Sequence, residues 1–518
     1  MISGMRVKNI RSLRDSGQVD VKKINVLVGM NSSGKSTFLR TLPLLRQSVE
    51  VRTKGPILWY GRLVDFGDFR EAKSTNSGDE PMSLSFDLQM RRASPVRPGK
   101  MVMSDIKTYR LPASIRAAID IDQKEKDDVG FISKLTLNIA SDVVQIHFES
   151  VWAKKIVING AVFEPAAGSI WFAGGEAKLP SLTYFVEKSQ KEGETYLVEG
   201  EDWLLARIGS LLTSIAHGNT SKDRLKLVAK QLVYAPEFEF RRQFASLSTA
   251  PDGVRYALIT HANAEKSGYL DNLRALTLLR VLPAVLKDVS AAFEQFGAGV
   301  RYIEPVRASV ERYYRLQDLA VDEIDSSGAN TAMYLRSLDS SELRSLTSWM
   351  DDNLGFRAYP ERSAGNVAVK IKIKGDTVGR NVTDLGFGYS QVLPVVLQLW
   401  HSCIKNSRGA KRASAIAIEQ PELHLHPRFQ SRLADVFVNV SRSISENSST
   451  IPFFIETHSE HIINRLGALV ADGSLNREDV QILLFDCGDS GTKITPVTFD
   501  EDGVLSESWP LGFFLPEV

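Results

Sequence analysis

The chain has 518 residues, of which 43% are hydrophobic and 24% are charged, a composition typical of globular proteins of several domains. Its 63 basic and 62 acidic residues leave a formal charge of +1, which excludes attraction of the whole chain to nucleic acid or anionic lipid. Any such contact must be local, and the candidates are the basic runs at residues 91–100 and 239–244, although such runs are more often solvated faces. The two cysteines exclude a disulfide framework. The sequence has no apolar signal core and no run of about 18 apolar residues, so we expect a cytoplasmic protein without membrane contact.

The N-terminal section alternates apolar and polar residues in two short blocks, which predicts a β-hairpin or edge strands leading into a buried strand at residues 24–28. A glycine-rich stretch follows, and then a helix with apolar residues at Phe38, Leu39, Leu42 and Leu45. Pro43 lies inside this helix and is expected to kink it. The order is therefore strand, loop and helix.

The rest of the chain divides by periodicity. A period of two from about residue 83 to 175 predicts antiparallel strands, and apolar residues three or four apart from 202 to 299 predict interrupted helices. From residue 366 the pattern predicts alternating strands and helices, starting with the strand "NVAVKIKI". We therefore expect an α/β unit, a mixed sheet with flanking helices, at residues 1–80 and 300–518, interrupted by a β-rich insertion at 81–200 and a helical one at 201–299.

The stretch "GMNSSGKS" fits the phosphate-binding pattern G-x-x-x-x-G-K-[ST] between a buried strand and a helix. Backbone N–H groups of such a loop and the N-terminus of its helix bind phosphate oxygens, the lysine reaches the β- and γ-phosphates, and the serine hydroxyl binds Mg²⁺. The sequence thus predicts binding of ATP with Mg²⁺. The predicted nucleotide-binding residues of this loop are Gly29, Asn31, Ser32, Ser33, Gly34, Lys35, Ser36 and Thr37.

A carboxylate that completes the metal site is expected at the end of a neighbouring apolar strand, and Glu419 follows "SAIAI" in that way. The alternative is an exposed glutamate at the end of an ordinary buried strand. Upstream, "DLGFGYSQVLPVVLQLW" predicts a glycine-rich turn that leads to Ser390 and then a helix, a second anion site or a simple helix cap. Downstream, His458 follows the apolar strand "FFIET", where it can approach a γ-phosphate or its attacking water.

The order of these motifs resembles the ABC-type ATPase heads of the SMC, RecF and OLD group, in which two heads enclose two nucleotides. The stretches "GPILWYGRLVDFGDFREA", "YIEPVRASVERYY", "IEQPELHLHP", "ETHSEH" and "WPLGFF" further resemble AAA-family ATPases that end in a short domain of unknown function. The resemblance covers residues 1–72 and 300–518. It implies that Glu419 is the Walker B acid, that His458 is the switch histidine and that residues 386–391 form a signature segment with Gly388, Ser390 and Gln391 at the nucleotide.

This branch includes the Septu and retron-associated anti-phage ATPases, which work with a separate HNH nuclease. The resemblance therefore implies a homodimer or larger homo-oligomer of heads and an HNH nuclease partner, with a reverse transcriptase or retron DNA in some systems. The helical insertion would then offer a partner or dimerisation surface.

One position departs from the ABC pattern, because Gln420 stands where a glutamate usually activates the attacking water. An amide can hold a water molecule but cannot accept its proton, so we expect slow hydrolysis unless Glu422 or His458 takes that role. The sequence therefore favours a nucleotide-gated clamp over a fast motor.

Two other functions remain open. A DNA-repair ATPase of the RecF or SMC type would bind duplex DNA itself, but the sequence shows neither a basic stripe nor a long coiled coil. A nuclease of the OLD type would need a carboxylate-rich metal domain after His458, and we do not expect DNA cleavage by this chain alone. His424 and His426 have no cysteine or carboxylate cluster beside them, so a transition-metal site there is not expected.

Overall fold

The structure is a computed structural model that describes residues 2–90, 109–123, 129–166, 169–174, 178–189, 195–200, 202–307, 310–316, 321, 323–363, 365–404, 413–446, 451–488 and 491–506. The basic run at 91–100 and the motif "WPLGFF" at 509–514 lie outside the described residues.

The strands, in chain order, are β1 (Ile2–Ile10), β2 (Leu13–Asp15), β3 (Val19–Asp20), β4 (Ile24–Gly29), β5 (Met82–Gln89), β6 (Ser114–Gln123), β7 (Gly130–Ile139), β8 (Asp142–Glu149), β9 (Trp152–Ile158), β10 (Ala161–Phe163), β11 (Ser169–Phe172), β12 (Thr183–Ser189), β13 (Thr195–Glu199), β14 (Val300–Ile303), β15 (Tyr314–Arg315), β16 (Phe356–Ser363), β17 (Asn366–Ile373), β18 (Arg380–Asn381), β19 (Ala415–Glu419), β20 (Phe453–Glu456), β21 (Val480–Gly488) and β22 (Gly491–Val497). The helices are α1 (Lys35–Glu50), α2 (Phe69–Ala72), α3 (Asp202–Thr213), α4 (Lys222–Gln231), α5 (Glu237–Arg242), α6 (Asp252–Asn263), α7 (Gly268–Ala298), α8 (Thr331–Ser337), α9 (Ser340–Leu354), α10 (Phe387–Leu399), α11 (Pro427–Glu446) and α12 (Glu460–Ala471).

A mixed sheet with the order β14-β19-β20-β4-β21-β22 holds the predicted site. Its neighbours pair in parallel except for the antiparallel pair β21 and β22. Strands β4, β19 and β20 are buried at every position, as expected for parallel strands covered on both faces. The carboxyl ends of these three strands therefore meet at one edge. The predicted α/β class, with a mixed sheet and flanking helices, is confirmed.

A second, antiparallel sheet has the main order β13-β12-β11-β9-β8-β7-β6-β5-β1-β2. Strands such as β7 alternate between buried and partly exposed residues, because one face covers the core and the other meets solvent. The predicted antiparallel section is confirmed and reaches Glu199. Its strand β5 pairs directly with β1, so the boundary proposed near residue 80 lies between neighbouring strands of one sheet.

The strand predicted at "NVAVKIKI" does not belong to the alternating strands and helices around the site. This stretch is strand β17, as expected, but it pairs antiparallel with β15, β16 and β18 in a separate small sheet. Its alternating pattern suits a strand in either kind of sheet, so periodicity could not assign its partners. The parallel sheet instead gains β14, which the sequence reading passed over.

Helix packing joins the two large sheets. Helix α7 runs through Pro283 and covers the antiparallel sheet, where Phe293 and Phe296 pack on Phe86 of β5. Helix α1 contacts α7 on one side and strands β14, β19 and β20 on the other. Among the described residues, no helix is both long enough and apolar enough to cross a membrane.

Candidate nucleotide site

The glycine-rich loop follows β4 and leads directly into α1. Gly29 and Gly34 both have positive φ values, of 151° and 95°. A Cβ atom on Gly29 would lie 2.3 Å from the carbonyl oxygen of Phe485, and one on Gly34 would lie 2.8 Å from Leu13 Cδ2. The loop therefore requires glycine at these two positions. The hydroxyl of Thr492 in β22 donates to the carbonyl oxygen of Ser33 at 2.9 Å and anchors the loop.

The side chains of this loop suit a polyphosphate. The Lys35 ammonium is buried and donates to the carbonyl oxygens of Gly29 and Met30 at 3.0 and 2.7 Å. Burial lowers the pKa of Lys35. The Ser33 hydroxyl is fully buried and has no hydrogen-bond partner among the described residues. An ammonium held only by carbonyls and an unsatisfied hydroxyl, beside the start of a helix, fit phosphate oxygens. Asn31 and Ser32 are exposed, and Thr37 is buried.

Two carboxylates end neighbouring strands at the edge facing α1. Glu419 of β19 and Glu456 of β20 are paired in the strand register, and both are buried. Ser36 and Arg40 lie one turn apart on α1, so they share a face of the helix. The Ser36 hydroxyl donates to Glu456 Oε1 at 2.8 Å, whereas the Arg40 guanidinium forms two bonds of 2.7 Å with Glu419.

Glu419 thus has protein partners for both oxygens. Its Oε1 also accepts a hydrogen bond from the Tyr302 hydroxyl at 2.7 Å. The hydrogen bond with Glu419 raises the pKa of Arg40, and burial together with Glu419 raises the pKa of Tyr302. The predicted Walker B acid lies at the expected edge, but Ser36 bonds to the other carboxylate.

The turn after β19 and the turn after β20 are hydrogen-bonded to each other. Gln420 has a φ of 43°, a left-handed conformation that is costly for a side chain with a Cβ atom. Its N–H donates to the carbonyl oxygen of Glu456 at 2.8 Å. The buried Arg307 donates to the carbonyl oxygens of Glu419 and Gln420, at 2.9 and 3.3 Å. Burial lowers the pKa of Arg307 to about 10.

Partial desolvation of the ring, followed by the positive charge of Lys35, lowers the pKa of His458, although the residue as a whole is exposed. Its backbone N–H donates to Glu422 Oε1 at 2.7 Å. Glu422 is buried, and burial raises the pKa of its carboxyl. Glu422 therefore supports the turn that carries His458.

The signature segment, residues 386–391, lies at the start of α10. Helix α10 begins at Phe387, so the prediction that the helix follows Ser390 was wrong: Gly386 precedes the helix, whereas Gly388 already lies in its first turn. Ser390 and Gln391 are buried, and the Ser390 hydroxyl donates to the carbonyl oxygen of Phe387 at 2.7 Å. Gly388 faces the carbonyl oxygen of His424. No described hydrogen bond connects residues 386–391 with residues 29–37.

The structure thus brings the loop, Glu419, Gln420 and His458 together, and no described hydrogen bond joins the signature residues to this group. Sequence reasoning missed Glu456, Arg40, Tyr302 and Arg307. For Glu456 the signal was present, because it ends a buried strand just as Glu419 does. The arginines and the tyrosine have no local pattern that could have identified them.

The residues present fit ATP and Mg²⁺. The loop would hold the phosphates, and Ser36 with a carboxylate at the same edge would hold the metal, which requires oxygen ligands. Bound Mg²⁺ would offset the negative charge of the phosphates. Fold and site together define a P-loop nucleotide-binding protein.

The chain belongs to the AAA ATPase domain family AAA_15, whose profile matches residues 1–219 and 322–463. It is therefore an ATPase of the AAA class. No curated protein matches the chain significantly.

Solved structures of SMC heads are distantly similar over nearly their whole length. The SMC head domain from Thermotoga maritima shares 8% identity at a TM-score of 0.32, covering 96% of this chain and 98% of that one. The Smc head from Pyrococcus furiosus, bound to the C-terminal domain of ScpA, shares 8% identity at a TM-score of 0.33, covering 96% of each chain. An SmcHead bound to the C-winged helix domain of ScpA gives 10% identity and a TM-score of 0.32, with 96% and 98% coverage.

Proposed function

We propose that this chain is the regulatory ATPase of an anti-phage defence system of the Septu or retron-associated type. In this proposal Mg²⁺ and ATP join two heads, and joining or separation of the heads controls a partner HNH nuclease. The support is the ordered series of motifs from the glycine-rich loop to His458, together with the site that the fold assembles from them.

The observation that carries the head-joining step is the exposure of two separate surfaces. Met30 in the loop is 64% exposed, and Phe387 at the start of α10 is 71% exposed. Gly386, which precedes α10, provides no side-chain cap, so N–H groups at this helix start remain available to an anion. In a two-fold dimer the start of α10 from one copy can cover a nucleotide on the loop of the other. Because Ser390 is buried, residues 386–388 would make that contact.

A ligand that bridges two copies stabilises the dimer by mass action, so the nucleotide state becomes an assembly state. The experiment is light scattering of the purified chain without nucleotide, with ADP and with ATP plus Mg²⁺. We expect ATP to drive dimer formation and Phe387→Asp to prevent it while ATP binding is retained. If the mass measured by light scattering is the same with and without nucleotide, the proposal is contradicted.

Slow hydrolysis belongs to the same proposal. Gln420 can hold a water molecule but cannot take its proton, and the Glu422 carboxylate is engaged by the N–H of His458. We expect slow phosphate release by the unmodified chain and faster release by Gln420→Glu. Phosphate release by the unmodified chain at many turnovers per second would contradict the clamp hypothesis.

The partner is tested by co-purification with an HNH nuclease encoded beside this chain, with and without ATP. Residues 201–299 are the proposed partner surface, since Phe238 and Tyr256 there are 71% and 74% exposed. A reverse transcriptase or retron DNA would join the complex in a retron system. Tight binding of duplex DNA at physiological salt without any partner would instead favour a RecF-like or SMC-like repair ATPase.

A further inference from the structure

Glu456 is the carboxylate that directly faces the serine of the glycine-rich loop. Ser36 Oγ donates to Glu456 Oε1 at 2.8 Å, and no described hydrogen bond joins Ser36 to Glu419. In P-loop proteins this serine binds the Mg²⁺ of the nucleotide, so its protein neighbour is placed beside the metal. The neighbour in this chain ends β20 and not β19.

Glu419 is already engaged by groups of the protein. Arg40 bonds both of its oxygens, and the buried Tyr302 hydroxyl donates to one of them. For Glu419 to turn toward a metal, it would have to leave a guanidinium and a buried hydroxyl without their acceptor. Such losses cost about 1–3 kcal/mol for each buried group.

Glu456 has the opposite properties. Its side chain is 3% exposed, and its Oε2 atom has no hydrogen-bond partner among the described residues. The lysine of the loop donates to carbonyl oxygens instead of to this carboxylate. Lys35 and Arg40 attract Glu456 electrostatically, but no direct ion pair with it is present among the described residues. A buried carboxylate without a direct ion pair is costly unless a ligand provides the positive charge.

We propose that Glu456, together with Ser36, makes the protein's direct contact with the Mg²⁺ of the bound nucleotide, and that Glu419 is a positioning residue that holds Arg40 and Tyr302. One hydroxyl, one carboxylate and the phosphate oxygens form the type of oxygen-rich set that Mg²⁺ takes. Through its bonds with Arg40, Glu419 fixes the position of α1 relative to β19. This inference rests on the proposed ATPase site but not on the proposed nuclease partner.

The test is isothermal titration of the full chain with ATP, with Mg²⁺ and with EDTA, in Glu456→Gln, Glu419→Gln and the exposed control Glu149→Gln. Mg²⁺ should raise the ATP affinity of the unmodified chain, and we expect Glu456→Gln to reduce this increase at least about tenfold. The ATP affinity measured in EDTA should change by no more than about twofold. Glu419→Gln should keep most of the gain and lower the melting temperature. Glu149→Gln should change neither quantity.

A Glu456→Gln chain that keeps the full Mg²⁺ gain, while Glu419→Gln loses it, overturns the assignment. Glu456→Asp is the second variant and should recover part of the gain, because it keeps the carboxylate. Binding of Mn²⁺ to the ADP complex, followed by its paramagnetic resonance signal, gives a readout independent of turnover and should weaken in Glu456→Gln only. If Mg²⁺ does not change the ATP affinity of the wild-type protein, the ATPase site itself is contradicted. If only the joining of heads fails, the assignment of Glu456 is unaffected.

Discussion

The two large sheets differ in the burial of their charged side chains. At the end of the parallel sheet, Glu419 and Glu456 are 2% and 3% exposed. On the solvent face of the antiparallel sheet, Arg116 pairs with Asp87 and Lys134 pairs with Asp120, with the basic partners 41% and 35% exposed. Exposed pairs contribute little to stability, whereas buried carboxylates are costly. The difference teaches that the cost is concentrated where a ligand can offset it.

The largest expected effect is on the pair of Arg40 and Glu419. Glu419→Ala leaves the buried Tyr302 hydroxyl and a partly buried guanidinium without their acceptor, so we expect a loss of about 3 kcal/mol in the free energy of unfolding. Urea denaturation measures it. In the double-mutant cycle with Arg40→Ala, we expect a coupling of about 1–3 kcal/mol. Additive effects would show that the pair is not formed.

The next effect is on nucleotide affinity. Lys35→Ala removes the ammonium that the loop holds ready for phosphate, and hydrogen bonds to charged groups contribute about 1.5–3 kcal/mol. We therefore expect ATP binding to weaken by about 10- to 100-fold, as measured by calorimetry. Lys134→Ala in the antiparallel sheet is the control. Equal loss in both variants would contradict a localised phosphate site.

A smaller effect is expected at Arg307, which supports the turn of Gln420 from outside the predicted nucleotide contacts. Arg307→Met leaves the carbonyl oxygens of Glu419 and Gln420 without this donor, and we expect a loss of about 1–2 kcal/mol in the free energy of unfolding. The rate of phosphate release should fall, while ATP affinity should stay within about threefold. A variant with unchanged turnover would show that the turn holds its strained conformation unaided.

The smallest effect belongs to the antiparallel sheet. Lys134→Gln breaks an ion pair with Asp120 whose lysine is 35% exposed. We expect a change of at most about 0.5 kcal/mol in the free energy of unfolding and none in ATP affinity. Chemical denaturation and calorimetry measure both quantities. A change above about 2 kcal/mol would remove the contrast between the two sheets.

The local sequence pattern was enough to predict the strands and the helix around the candidate site. The strands that precede the loop, Glu419 and Thr457 are predominantly apolar, and the periodicity of α12 after Ser459 is equally clear. It was less reliable where the same pattern suits two contexts, as for β17 in its separate sheet. It also failed at α10, because the glycines suggested a turn where the helix had already started.

The sequence by itself determined that a glycine-rich phosphate loop joins a buried strand to a helix, because Gly29, Gly34, Lys35 and Ser36 stand at fixed spacings within one short stretch, residues 29–36, whose chemistry is local. Only the tertiary structure decided which carboxylate faces Ser36. Glu419 and Glu456 both end apolar strands, and they are 37 positions apart in the chain but neighbours in the sheet. The choice between them depends on Arg40 and Tyr302, which reach Glu419 from a helix and a strand that the sheet order brings together. Strand order is a long-range property, so no local pattern can specify which acid is neutralised and which is left for a metal.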